Sequence, residues 1–212
     1  MALPSAISLR NFGASGKGPH QKTDTPKFHG PAGGLGFYND GMEPIRQTPV
    51  GRVVSITFSP VETGREQRPA GRFFRVAVAE ARFQPGAGIV GDRKNSKGKR
   101  QMNLMLAEEV RRLAGDGFRA GPGELGEQLV IDGLEGYLVA GCHVQMGEAV
   151  IAVGEPRTPC GRFAAVQGRT VKQAWGRLGF LARVIRPGTV RPGDLATLVP
   201  SPANPQRNLF PE

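Results

Sequence analysis

Apolar positions along this chain come mostly in short alternating runs. Residues 51–58 (Gly-Arg-Val-Val-Ser-Ile-Thr-Phe) are β-branched and partly alternating, and predict a strand. In 72–83, Phe74, Val76 and Val78 alternate with Phe73, Arg75 and Ala77, which predicts a second strand. Residues 127–131 predict a third, ended by a tight Asp132-Gly133 turn. The runs 137–140, 143–146 and 149–153 are short strands separated by Gly141 and Gly147. Two closing strands, 181–185 and 195–199, are linked through Pro187-Gly188 and Pro192-Gly193-Asp194. Short strands at close spacing with glycine turns suggest a barrel or folded-over sheet, not a parallel sheet.

Helical period is rarer. Leu106, Val110 and Leu113 fall at i, i+4 and i+7, with Asn103 placed to cap the start and Gly115 to end it. Residues 171–178 fit one further short helix, with Trp175 read as a packing anchor. Residues 1–48 hold no sustained period and read as a flexible Gly/Pro-rich extension. The folded domain is placed at 49–200, and 201–212 reads as a flexible tail.

Composition narrows the class. A length of 212 residues holds one good-sized core or two small ones. The 31 glycines and 18 prolines are spread through the chain, as a turn-rich β fold requires. No apolar run approaches the roughly 18 residues of a membrane span, and the N-terminus lacks the apolar stretch of a secretory signal. Residues 1–23 have no acid and carry Arg10, Lys17 and Lys22, as transit segments do, but without an amphipathic period they read as a plain tail. Cys142 and Cys160 do not make a disulfide scaffold, so a reducing, cytoplasmic setting is expected, with a bridge between them left open. His20, His29 and His143 lack the spacing of a zinc site.

The net charge of +10 calls for anionic partners. Aromatic residues make up only 7%, and Trp175, Tyr38 and Tyr137 do not interleave with the cations as a base-stacking surface would need. That argues against nucleic acid and leaves a small phosphorylated ligand as an equal sink for the charge. The charge concentrates in 84–102, where Arg93, Lys94, Lys97, Lys99 and Arg100 place five cations in eight residues on glycine-rich backbone. Such a loop is either a solvated basic surface or a wrap for a phosphate or carboxylate. Running into a helix start, it would add that helix's partial positive charge.

The second chemical stretch is 154–162, Gly-Glu-Pro-Arg-Thr-Pro-Cys-Gly-Arg. Pro156 and Pro159 fix φ twice and withhold two donors, which predicts a stiff loop. It holds Cys160 at its tip between Arg157 and Arg162, and nearby cations favour the thiolate, which is the nucleophile and the metal ligand. The alternative is a cysteine serving as a small buried hydrophobe.

Together these segments resemble the MOSC domain, found at the C-terminus of molybdenum cofactor sulfurases and in small stand-alone proteins. The resemblance rests on Gly88-Ile-Val-Gly91-Asp92-Arg93, on Arg100-Gln101-Met102-Asn103-Leu104 leading to Glu108, on Leu125-Gly126-Glu127-Gln128-Leu129 with Gly133-Leu134, on Pro156-Arg157-Thr158-Pro159-Cys160, and on Val190-Arg191-Pro192-Gly193-Asp194. Their order spans roughly 50–200 and says nothing of 1–48. It implies a mostly antiparallel β-barrel of the MOSC, pyruvate-kinase β-barrel-like type, with a few short helices.

The resemblance further implies binding of the molybdenum cofactor (molybdopterin), or carriage of sulfur for it, on Cys160. A thiolate is a soft ligand that suits molybdenum or a sulfane sulfur. Arg93, Lys94, Lys97, Lys99, Arg100 and Arg157 then become candidates to hold phosphate and pterin oxygens. Asp92 reads as structural and Glu127 as part of the site. Many members have Asn where this chain has Gln128, and some have His where it has Lys94. The chain holds no pyridoxal-phosphate desulfurase region, so a sulfur carrier would need a separate cysteine desulfurase to load it. The alternative is a small molybdenum reductase of N-hydroxylated compounds. With neither a cysteine cluster for iron–sulfur nor a dinucleotide glycine motif, it would need a partner reductase. A nucleic-acid-binding barrel is the last alternative.

Overall fold

A computed structural model describes residues 48–61, 69–94, 98 and 100–201. The extension expected at 1–48 and the tail expected at 201–212 lie outside these residues except at their inner ends, and so do Lys97 and Lys99. The order of elements is β1 (Val50–Phe58), β2 (Val76–Ala77), β3 (Ala81–Gln84), β4 (Gly88–Ile89), β5 (Met102–Leu106), α1 (Ala107–Gly115), β6 (Leu129–Asp132), β7 (His143–Met146), β8 (Ala149–Pro156), α2 (Gly161–Gln167), a 3-10 turn (Val171–Ala174), β9 (Phe180–Arg186), β10 (Gly188–Val190) and β11 (Leu195–Val199).

Strands β11-β7-β8-β9-β5-β6-β1 are hydrogen-bonded in that order, and β1 returns to β11 through the pairs Val50 with Thr197 and Arg52 with Leu195. The sheet is therefore a closed barrel, which leaves no open edge. Its pairs are antiparallel except β5 with β6, which run parallel. That exception follows from α1, the crossover that carries the chain back before β6 begins. A small sheet, β10-β3-β4, lies beside the barrel.

Alternation within β5 organises the interior. Met102 and Leu104 belong to the barrel core with Ile56, Ile131, Val144 and Ile151. Met105 belongs to a second core with Leu113 of α1, Phe163 of α2, Leu125 and Leu178. Successive side chains of a strand point to opposite faces, so Asn103 shares the outer face with Met105. Fully burying a side chain the size of Phe163 contributes ~2 kcal/mol, enough to fix α2 against the barrel wall.

Several expectations are revised. The run 72–83 is not one strand: it breaks into β2, with Val76 exposed, and β3, with Phe83 fully buried. Residues 137–140 form a turn, with the Tyr137 and Leu138 amides donating to the Leu134 carbonyl at 3.2 and 3.1 Å. Asn103 caps no helix; it lies within β5, and Leu106 is the N-cap of α1. A strand therefore separates the basic loop from that helix. β8 runs on to Pro156, its last residue, where a missing amide costs no ladder bond inside the strand. Trp175 is 63% exposed and anchors nothing.

Candidate functional site

Polar residues that are buried outside the barrel core converge where β5 and β6 meet the loops around residues 75, 92 and 157. Asp92, 1% exposed, is the structural hub. Its Oδ1 accepts from the Ser59 amide at 3.2 Å and the Lys94 amide at 3.1 Å, and its Oδ2 accepts from Gln128 Nε2 at 2.9 Å. Gln128 Oε1 in turn accepts from the Asn103 amide at 2.8 Å. Asn103 donates through Nδ2 to the Gly126 carbonyl at 2.7 Å and accepts from Lys94 Nζ at 2.7 Å. The chain of bonds tethers the start of the basic loop to the barrel wall.

Two arginines complete the cluster. Gly123 and Gly126 have φ of +81° and +79°, a conformation glycine adopts without strain. Their bare Cα faces seat the two side chains. A Cβ on Gly123 would lie 2.7 Å from Arg75 Cβ, and one on Gly126 would lie 2.8 Å from Arg157 Nη2. Between them Glu127, 2% exposed, accepts at Oε1 from the Gly123 amide. The Arg157 amide donates to the Gly179 carbonyl at 2.8 Å, which fixes the loop that follows β8.

This cluster is rich in unsatisfied hydrogen-bonding groups. Arg75 as a residue is only partly covered, yet its Nε and Nη1 are sealed from solvent and have no partner. Arg157 Nη1 and Glu127 Oε2 are equally buried and unpartnered. Among the described residues no ion pair joins Arg75, Lys94 or Arg157 to a carboxylate. Buried donors left unpaired cost ~1–3 kcal/mol each, more when charged. Burial, and then Arg75, Arg157 and Arg100, push Lys94 down to about 7, against the pull of Asp92. Burial and then Arg75 push Arg157 down to about 10. Burial raises Glu127 despite the Gly123 amide, Arg75 and Arg157.

An open cleft of about 300 Å³ gives access, lined by Ser59, Phe73, Arg75, Arg93, Lys94 and Arg162 among others. The Arg162 guanidinium stands 5.7 Å from the Phe73 ring centre. Cys160 is exposed and free, at the N-cap of α2, two residues before Arg162. It is close enough to Arg157 for a thiolate there to favour that residue's cation. Cys142 is half-buried, and burial pushes its thiol up.

The residues singled out in the sequence are thus distributed as follows. Arg93 and Lys94 line the cleft, Arg157 and Glu127 lie in the buried cluster, and Cys160 is exposed at the start of α2. Arg100 is exposed and lines a different hollow of about 760 Å³ on the outer wall of β7, β8 and β9, with His143, Ala152, Leu181 and Arg183. Its charge still acts on Lys94 and Arg157. Arg75 and Asn103 were not recognised as members of the site. Arg75 sits in an alternating run where it looks like the outward partner of Phe74, and no local signal marks it. Asn103 followed by an apolar run mimics a helix cap.

The fold and this cluster define a closed, mixed β-barrel that carries a cationic cleft with a free thiol nearby. The chain belongs to the MOSC domain family, whose model matches residues 69–197. That family is associated with the molybdenum cofactor. The YuaD protein of Bacillus subtilis has the same fold, with a TM-score of 0.55 and 18% identity over 70% of this chain and 95% of that one. YiiM of Geobacillus stearothermophilus gives 0.55 and 23% over 70% and 75%, and YiiM of Escherichia coli gives 0.53 and 22% over 71% and 70%. By sequence, no curated protein matches the chain.

Proposed function

We propose that this protein binds the molybdenum cofactor at the cleft and uses Cys160 as metal ligand or sulfur carrier. The observation that carries the reading is the set of sealed, unpartnered N–H groups on Arg75 and Arg157. Guanidinium donors in that state suit an oxyanion such as a phosphate, which would take charge-assisted bonds where none exist now. Lys94 adds a third donor at the cleft. Among the described residues no three of His, Cys, Asp and Glu gather as a metal site, so Cys160 would be a lone protein ligand and the cofactor's own sulfurs would supply the others. When bound, that cofactor would supply a metal centre capable of oxygen-atom and electron transfer.

As a carrier, Cys160 would act as its thiolate. It attacks the outer sulfur of a donor persulfide, the donor's S–S bond breaks, and the donor leaves as a thiolate. No net electrons are exchanged. Reductase turnover on N-hydroxylated compounds would need electrons from a partner, because the chain has only two cysteines and no iron–sulfur cluster set. Exposure of Cys160 suits both roles.

The test is metal and pterin analysis of protein made in a cofactor-competent host, with persulfide loading measured beside it. The wild type is expected to retain pterin or accept sulfane sulfur, and Cys160→Ser to lose the sulfur and the metal. Equal loading of the variant defeats the role given to Cys160; absence of pterin, metal and sulfur from the wild type defeats the reading as a whole.

A further inference from the structure

Lys94 is placed differently from the arginines around it. Its ammonium is drawn inward onto the Asn103 side chain at 2.7 Å, and its amide is tied to the buried Asp92. It lines the same cleft as Arg75, Arg93 and Arg162. The groups acting on it come from every adjoining segment: Arg75 before β2, Arg157 after β8, Arg100 before β5, and Asp92 on its own loop. Glu127 and Cys160 act one step further away, through Arg157. Of these, Asp92 is already engaged by three donors and Glu127 by the Gly123 amide. Cations converge here with few free counter-charges.

We propose that Lys94 is the proton-linked member of the site: an oxyanion seated on Arg75 and Arg157 draws a proton onto the Lys94 amine, so the cleft takes up its anion and a proton together. This rests on the reading that the cleft holds an anionic group, and adds how that binding is regulated. Arginines stay protonated across the useful pH range and cannot play this part, whereas a partly buried lysine can. A bound anion would add to the neutralisation begun by Asp92 and Glu127. Linkage sets the sign. Above neutrality the free site holds Lys94 largely unprotonated, so anion binding takes up a proton and weakens as pH rises. Below neutrality the amine is already charged and uptake fades.

The probe is sulfate, a dianion that does not titrate near neutral pH. Calorimetry in buffers of differing ionisation enthalpy counts the protons taken up by the full chain at pH 6, 7 and 8. The expected result is uptake rising toward one proton per sulfate at pH 8, with affinity falling up to about tenfold per pH unit above 7. Lys94→Met should still bind sulfate, more weakly, with no uptake and a flat profile. Lys94→Arg should bind with a flat profile near the wild-type acid limit. Sulfate binding without uptake in the wild type, uptake that survives Lys94→Met, or no sulfate binding at pH 6 would each overturn the proposal. The first two leave cofactor retention untouched, so failure here is distinguishable from failure of the cofactor reading.

Discussion

Asp92 shows how much one buried side chain decides. It joins the loop before Lys94 to Ser59 at the end of β1 and to Gln128 beside β6, with three donors on two oxygens. Alanine there would deprive the part-buried Ser59 and Lys94 amides and the fully buried Gln128 side-chain amide of their acceptor. The expected loss is about 3 kcal/mol in urea unfolding, because buried donors without partners cost more than the bonds themselves contribute. Cys160→Ser is the opposite case. The side chain is exposed and free, so its replacement should move stability by less than about 0.5 kcal/mol while removing the thiol chemistry. A stability change as large as that of Asp92→Ala would mean that Cys160 is structural.

At the scale of elements, the turn before β6 is the part that shapes the cluster. Gly126 is both left-handed and in close approach, with φ of +79° and a would-be Cβ at 2.8 Å from Arg157 Nη2. Gly126→Ala should therefore cost about 1–3 kcal/mol and also displace Arg157. The accompanying readout is sulfate affinity, expected to fall at least tenfold; normal affinity would separate the glycine from the arginine's seat. β7 and β11 were legible in sequence to the residue: β7 alternates with a period of two, and β11 is an apolar run bounded by the Pro192-Gly193-Asp194 turn and Pro200. α2 was missed, although Phe163 and Val166 one turn apart, closed by a left-handed Gly168, mark a short helix. Two prolines before it drew the reading toward a loop. Cys160, Arg93, Lys94 and Arg157 were visible through charge and motif. Arg75 was not, because its placement depends on the glycine face at 123, some fifty residues away.

For the whole molecule, the cluster should leave a signature in stability against pH. Lys94 is held at about 7 in the folded chain against an ordinary 10.5 when unfolded. Between those values the unfolded chain binds a proton that the folded chain lacks, so stability rises with pH across that window and is flat below it. Glu127 is raised above its ordinary 4.5, so between that value and its folded one the folded chain holds the extra proton, and stability falls as pH rises. The two effects oppose one another: the fall due to Glu127 begins above 4.5, and the rise due to Lys94 begins near 7. Urea midpoints of the wild type should rise from pH 7 to pH 9 relative to those of Lys94→Met. Lys94→Met should remove the alkaline rise and Glu127→Gln the acidic fall. Sulfate at pH 7 should raise the midpoint, because an anion on Arg75 and Arg157 offsets the repulsion that adds to burial in holding Lys94 down. If the alkaline rise is equally steep in Lys94→Met, the lysine is not what links the cluster to the stability of the barrel.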